Sequence, residues 1–316
     1  MSRSLRGRLA PSPTGVLHLG NARSFLLAWL DLRARGGEVL LRIEDLDGPR
    51  VQTGAEAAAI ADLQWLGLDW DAQPVRQSER TALYEAALAR LAAQGLAFPC
   101  TCTRRDVELA ASAPNLGDEG PLYPGTCRGR WPDAASAALV AGRAPCWRLQ
   151  VPKPGERAGV IEFTDRVRGP VVVDASLELG DFVISKSSGS AAYQLAVVVD
   201  DAQQGVTDVL RGDDLLPSAA RQILLYRALE FSAPQFAHVP MVLGPDGRRL
   251  AKRHGDTSLR KFKADGVRPE TIVGWLASVS GLRPRPDPCS ARELIADFDL
   301  ARVPQSAVIW NGGFGL

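Results

Sequence analysis

Apolar and polar positions alternate in blocks through the first third of the chain. Residues 5–10 read as a short strand that Pro11-Ser12-Pro13-Thr14-Gly15 breaks, the pattern of a strand entering a loop. Over residues 21–35, Phe25, Leu26, Trp29 and Leu30 fall at helical spacing on one stripe, and Gly36-Gly37 ends the segment. Residues 38–43 read as a second strand and 54–66 as a second helix. A third helix is predicted from Ser78, taken as its N-cap, burying Tyr84, Leu88 and Leu91 before Gly95. Strand and helix in alternation imply parallel strands joined by right-handed crossovers. The fold class expected is therefore α/β with a doubly wound parallel sheet.

The pattern changes at residue 100. Proline, glycine and short apolar pieces such as Val171, Val172 and Val173 dominate up to residue 180, so an inserted subdomain is expected. An apolar run over 193–199, ending in Asp200-Asp201, predicts a return to the sheet. A helix over 217–229 and a strand over 238–243 follow. From residue 261 the chain reads as a small helical C-terminal appendix, in which the proline-rich stretch 283–288 can only be a loop. The expected units are residues 1–99 and 186–243 for the two halves of the sheet domain, 100–185 for the insertion and 244–316 for a basic loop with the helical end.

Composition narrows the function. No apolar run approaches the roughly 20 residues of a membrane span, and residues 1–6 lack the apolar stretch of a secretory signal. The cytoplasm is the expected location, and no obligate protein partner is evident. The net charge of +1 argues against a generally basic nucleic-acid binder. Residues 248–268 nonetheless carry eight Lys/Arg against two Asp/Glu, which alone describes a solvated face. The five cysteines are odd in number and unevenly spaced, so a disulfide framework is not expected. Cys146 and Cys289 stand apart and read as ordinary core or surface thiols. Cys100 and Cys102, with Cys127 farther on, have the make-up of a structural zinc site.

The candidate chemistry begins where the first strand meets the first helix. In an open parallel sheet, ligands bind at the carboxyl ends of strands, close to helix N-termini that attract phosphate. Gly15 and Gly20 let the backbone approach a ligand, and His18 can donate to a phosphate oxygen as its charge grows. Gly15 and Gly20 have P-loop spacing, but Asn21-Ala22 stands where Lys-Ser/Thr is required, and no dinucleotide glycine fingerprint is present.

The stretch from Arg8 to Asn21, ending His18-Leu19-Gly20-Asn21, resembles the signature of the class I aminoacyl-tRNA synthetases. Arg8-Leu9-Ala10-Pro11-Ser12-Pro13-Thr14-Gly15 is similar to its glutamyl branch. Arg248-Arg249-Leu250-Ala251-Lys252-Arg253-His254-Gly255 resembles the lysine loop of the same class, with Arg249 in place of its first lysine and Ala251 in place of its serine. The resemblance covers about residues 5–263 and implies a Rossmann-type catalytic sheet. It implies His18 and Lys252 as catalytic residues. ATP would be held by Pro11, Thr14, Gly15, His18, Gly20, Asn21, Arg249, Leu250, Ala251, Lys252 and Arg253. Glutamate would be held by Arg8, Leu9, Ala10, Pro11, Ser12, Glu44, Tyr193 and Arg211. In that set Arg8 and Arg211 would grip carboxylates, since a guanidinium makes two parallel charge-assisted bonds, and Glu44 would take the ammonium.

The glutamyl-queuosine branch of the family pairs Cys-x-Cys with Tyr-x-x-x-Cys. Cys100-Thr101-Cys102 and Tyr123 to Cys127 match that form, which implies one structural zinc on Cys100, Cys102, Tyr123 and Cys127. The chain after the lysine loop is expected to be too short for an anticodon-binding region of the usual glutamyl kind. Together these features imply an ATP-dependent ligase that makes glutamyl-adenylate without tRNA, using magnesium with the ATP. It would then pass glutamate to queuosine in the anticodon of tRNA(Asp). The alternatives are a short discriminating glutamyl-tRNA synthetase charging the terminal ribose, a non-catalytic paralogue that binds tRNA or glutamate, and a small-molecule ligase of the same superfamily.

Overall fold

The computed structural model describes residues 4–110, 122–250 and 256–315. The first strand, β1 (Arg6–Leu9), leads through the proline loop into α1 (Leu19–Ala34), followed by β2 (Glu38–Ile43), α2 (Ala55–Trp65) and the short β3 (Val75–Arg76). Helix α3 (Thr81–Ala93) then carries the chain to β4 (Ala97–Cys100). Strands β1, β2 and β3 are parallel, in the register Arg8 opposite Leu40 and Arg42 opposite Val75.

The insertion holds α4 (Arg104–Ala110), α5 (Ala134–Ala141), β5 (Cys146–Leu149) and the hairpin of β6 (Val160–Asp165) and β7 (Gly169–Asp174). After α6 (Ala175–Glu178) comes β8 (Phe182–Ser185). Strands β4, β5 and β8 make a small antiparallel sheet in which Cys100 faces Cys146.

The chain returns through α7 (Tyr193–Gln203), β9 (Asp208–Gly212), α8 (Leu216–Ala228), β10 (Gln235–Val239) and β11 (Val242–Leu243). Strand β10 lies parallel to β9, with His238 opposite Arg211. Strand β9 packs beside β1, where the Thr207 N–H donates to the Arg6 carbonyl at 2.8 Å. Gly7 permits this approach. A Cβ at that position would stand 2.8 Å from the Asp208 carbonyl oxygen and 2.7 Å from Leu32 Cδ1, closer than real contacts allow. The last segment contains α9 (Leu259–Ala264), α10 (Pro269–Val279) and β12 (Val308–Ile309), the last parallel to β11.

The alternation of side chains across a strand divides the interior into two cores. Leu9, Val39, Leu41, Ile43, Leu210 and Ala237 face one core, shared with α1, α2 and α10. Leu40, Val209 and Phe236 face the other, shared with α3, α7 and α8. Period two then puts Arg8, Arg42, Arg211 and His238 on this second face, at the carboxyl ends of their strands, all buried. Among the described residues no helix is long and apolar enough to cross a membrane.

Three expectations need correction. The run over 193–199 is helix α7, not a strand. Leu195, Ala196, Val197, Val198 and Val199 are all buried, so the helix is covered nearly all round and shows no polar stripe. Ser78 does not cap α3; its hydroxyl and backbone N–H instead bind the Asp45 carboxylate at 2.5 and 2.8 Å. The C-terminal segment is helical as expected but is no appendix. Ile272, Trp275, Leu276 and Trp310 lie in the same core as Leu26 and Trp29, and Arg23 of α1 donates to Ser280 Oγ (2.9 Å) and to the Pro240 carbonyl.

Candidate active site

Where β1, β2, β9 and β10 end, their polar side chains converge under α7. Arg42, wholly buried, donates to Asp201 Oδ1 at 2.6 Å and to Glu44 Oε1 at 3.3 Å. Asp200 accepts from Gln77 (2.9 Å), Tyr84 (2.8 Å) and Arg80 (2.6 Å). Arg8 has its Nε 3.4 Å from Asp201 Oδ1, too poorly placed for a hydrogen bond, and that buried nitrogen has no partner among the described residues. Burial acts to raise the Asp201 carboxyl, but Arg42 and Arg8 hold it below the ordinary range. Glu44 is pushed up by burial against the pull of Arg42 and Arg8.

Arg211 closes the ring. Its Nε donates to His238 Nε2 at 3.0 Å and its Nη2 to the Leu215 carbonyl at 3.2 Å, while Nη1 is buried with no partner among the described residues. Burial lowers its pKa, and the nearby charge of Arg8 adds to that effect. Tyr193, the first residue of α7, is 37% exposed. Burial first and the Glu44 charge next raise its pKa. An unpartnered buried N–H on a guanidinium is costly unless a ligand completes it.

The proline loop runs past this ring. The Glu44 N–H donates to the Pro11 carbonyl (3.0 Å) and the Gln52 N–H to the Pro13 carbonyl (3.0 Å), which staples the loop to the end of β2. Pro11 is buried, Ala10 half-buried, and Ser12 and Thr14 exposed. Leu9 turns its side chain into the opposite core, so only its backbone faces the site.

His18 caps α1. The Gly20 N–H donates to His18 Nδ1 at 3.1 Å, and Asn21 Oδ1 accepts from the His18 N–H at 3.1 Å. Burial lowers the imidazole pKa, so the ring is neutral near pH 7. With Nδ1 accepting, the proton lies on Nε2, which is free to donate. A Cβ on Gly20 would stand 2.9 Å from His18 Cε1, so glycine is what leaves the ring its place.

His18 also bridges to Ser258, where the Leu259 N–H donates to the Leu17 carbonyl (2.8 Å). The chain following the basic loop is thus tied to the first helix. Arg249 lies 3.7 Å from Asp214, and Leu250 packs against the first core. Ala251, Lys252 and Arg253 lie outside the described residues.

In the insertion, the sulfurs of Cys100, Cys102 and Cys127 lie within 4.8 Å of one another. Tyr123 Oη is 3.3 Å from Cys100 Sγ and 3.7 Å from Cys102 Sγ, and Cys102 and Cys127 are 3.6 Å apart. Ligands on a tetrahedral zinc, each about 2.3 Å away, stand roughly 3.8 Å apart, so this donor set fits such an ion. Arg148 stacks 3.9 Å over the Tyr123 ring and donates to Cys100 Sγ at 3.3 Å. Hydrogen bonds from Cys146, Tyr123 and Arg148, against burial, hold Cys100 down at about 4. Cys146 is therefore not the isolated thiol expected; strand pairing brings it to Cys100.

Several residues of this architecture carry no sequence motif. Arg42, Asp200, Asp201, His238 and Asp165 are charged or polar residues beside apolar runs, and only the alternation along β2 and β10 hints at their burial.

A family model described as tRNA synthetases class I (E and Q), catalytic domain, matches residues 4–311. The chain is 51% identical over 313 residues to the glutamyl-Q tRNA(Asp) synthetase of Symbiobacterium thermophilum, covering 96% of this chain and 95% of that protein. It is 40% identical to the glutamate–tRNA ligase 2 of Syntrophus aciditrophicus, covering 97% of this chain and 64% of that one. The crystal structure of a glutamate tRNA ligase from Elizabethkingia meningosepticum, in complex with its amino acid, superposes with a TM-score of 0.83. That match has 28% identity and covers 99% of this chain and 68% of that one.

Asp201 joins Arg8 and Arg42 on one carboxylate, so Asp201→Asn should destabilise the fold by about 3–5 kcal/mol at neutral pH in urea unfolding. Its carboxyl pKa is lowered on folding, so this stability is present above the unfolded value of about 3.9 and is lost as the pH falls below it. The two proteins should converge only there. A variant as stable as the parent at pH 7 would show that the pairs are idle.

Proposed function

This chain belongs to the class I tRNA synthetase (E and Q) catalytic-domain family and is a ligase of the aminoacyl-tRNA synthetase type; we propose that it activates glutamate with ATP and passes it to queuosine in the anticodon of tRNA(Asp). The observation that carries the first half is the buried ring of Arg8, Glu44 and Arg211, with Arg211 Nη1 lacking a partner among the described residues. Two guanidiniums and a carboxylate complement the two carboxylates and one ammonium of glutamate. The names of the relatives and the match of Cys100, Cys102, Tyr123 and Cys127 to the glutamyl-queuosine pattern support the second half.

In the first step the α-carboxylate oxygen of glutamate bonds to the α-phosphorus of ATP as the bond to pyrophosphate breaks, giving glutamyl-adenylate. Arg8 and Arg211 hold the amino acid's carboxylates and Glu44 its ammonium, so the nucleophile is presented in line. His18 donates its Nε2 proton as a hydrogen bond to a phosphate oxygen that gains charge. Lys252 supplies a cation to the departing pyrophosphate. Magnesium with ATP supplies further neutralisation of the triphosphate. In the second step a nucleophile of the queuosine base attacks the carbonyl carbon and AMP leaves.

Cys100, Cys102, Tyr123 and Cys127 would hold one zinc ion, which would fasten the turn over 123–127 to the end of β4. Metal analysis of the purified protein should find about one zinc per chain. A stable protein free of metal would remove the ion from this reading.

The acceptor is tested by incubating the enzyme with ATP, labelled glutamate and tRNA(Asp) with or without queuosine. Label should enter only the queuosine form. Label on the terminal ribose of tRNA(Glu) instead would identify a short glutamyl-tRNA synthetase, and failure of glutamate-dependent ATP–pyrophosphate exchange would remove the activation step.

A further inference from the structure

We propose that His238, held by Asp165, is a positioning residue that sets the enzyme's preference for glutamate over glutamine by fixing the Arg211 guanidinium. The inference rests on the reading of Arg211 as a carboxylate clamp and takes the side-chain carboxylate, the group that distinguishes glutamate from glutamine, as the one it grips. The Asp165 carboxylate is itself immobile. Its Oδ1 accepts the backbone N–H groups of Val167 (2.9 Å), Arg168 (2.9 Å) and His238 (3.1 Å), and its Oδ2 lies 2.6 Å from His238 Nδ1. An ionised carboxylate only accepts, so His238 Nδ1 carries the proton. Nε2 then presents a lone pair, and Arg211 Nε donates to it at 3.0 Å. A second proton on this wholly buried ring would set two donors against each other.

Arg211 is thereby held on three sides. His238 takes Nε, the Leu215 carbonyl takes Nη2 (3.2 Å), and the Phe236 ring lies 5.4 Å from the guanidinium carbon. Phe236 and His238 stack at 18°, which fixes the imidazole plane. What remains is Nη1, buried and without a partner among the described residues. A guanidinium so fixed offers donors only. A carboxylate satisfies them, whereas the amide nitrogen of glutamine would turn its own N–H groups toward them. A guanidinium free to turn could move aside, and the discrimination would fall.

Asp165 closes the β6 strand of the inserted hairpin, and the Arg166 N–H donates to the Phe236 carbonyl at 2.9 Å. The insertion thus touches the strand that carries His238, and Asp165 is its contact with that side chain.

The test is ATP–pyrophosphate exchange with glutamate or glutamine, comparing full-length parent, His238→Phe, His238→Asn, His238→Gln and Arg211→Ala. Phenylalanine keeps the ring but accepts nothing. Asparagine reaches Asp165 but not Arg211, and the glutamine amide oxygen can occupy the Nε2 position. His238→Phe and His238→Asn should raise the glutamate KM by about tenfold or more and narrow the glutamate preference by a similar factor. Their ATP KM should stay within about twofold, and His238→Gln should keep the glutamate KM within about threefold of the parent. A merely structural role would move the ATP and glutamate constants together and show no rescue by glutamine. Folded His238→Phe and His238→Asn with the parent's glutamate KM and preference would overturn the proposal, provided Arg211→Ala raises that KM. If Arg211→Ala leaves it unchanged, the pocket reading itself falls.

Discussion

Everything at the site depends on keeping charge buried at the end of a parallel sheet. Arg8, Arg42 and Arg211 are less than a tenth exposed, and so are Glu44, Asp200 and Asp201 that oppose them. Ions taken out of water cost several kcal/mol each unless matched at close range. Arg42 is matched most closely, by Asp201 and Glu44, which raise its pKa despite complete burial, although its Nε has no hydrogen-bond partner among the described residues. Arg8 and Arg211 are matched only in part. At this site buried guanidinium nitrogens without a hydrogen-bond partner among the described residues occur on Arg8, Arg42 and Arg211, and donors left open in this way are ready for an anionic ligand.

Much of the sheet was legible because the apolar stripes of α1 and α3 and the breaks at Gly36-Gly37 and Gly95 obey local rules. The site motif was legible in part. His18 and Gly20 sit together at the start of α1, and their spacing follows from the capping geometry there. The misreading of α7 as a strand has a physical cause. An apolar run over 195–199 looks the same whether a helix is buried on all sides or a strand on two. That error also hid the role of Asp200-Asp201, which lie one helical turn or more from Tyr193 and pack against β2 from above. His238 and Asp165 are 73 residues apart and meet only because the β6 hairpin folds beside β10. Cys146 reaches Cys100 by strand pairing, which no cysteine spacing could announce.

Much of the insertion, including Leu149, Ile161, Phe182 and Ile184, shares the second core of the sheet, whereas the region around Cys100 is built differently. The sheet has two apolar cores, one on each face. The Cys100 region has a small one of Phe98, Val107 and Tyr123 with the cysteines, so donor groups stand where a larger core would have been. The last residue of β6, Asp165, fastens His238 behind Arg211. The C-terminal helices complete the opposite core, and through Ser258 and Leu259 they fix the chain that follows the basic loop beside His18.

The most direct measurement of the central claim is a crystal structure of the protein with glutamate bound. The account predicts one carboxylate hydrogen-bonded to Arg211 Nη1, the other at the Arg8 guanidinium, and the ammonium beside Glu44. Glutamate bound elsewhere, with Arg211 Nη1 still lacking a ligand and Arg8 untouched, would contradict it.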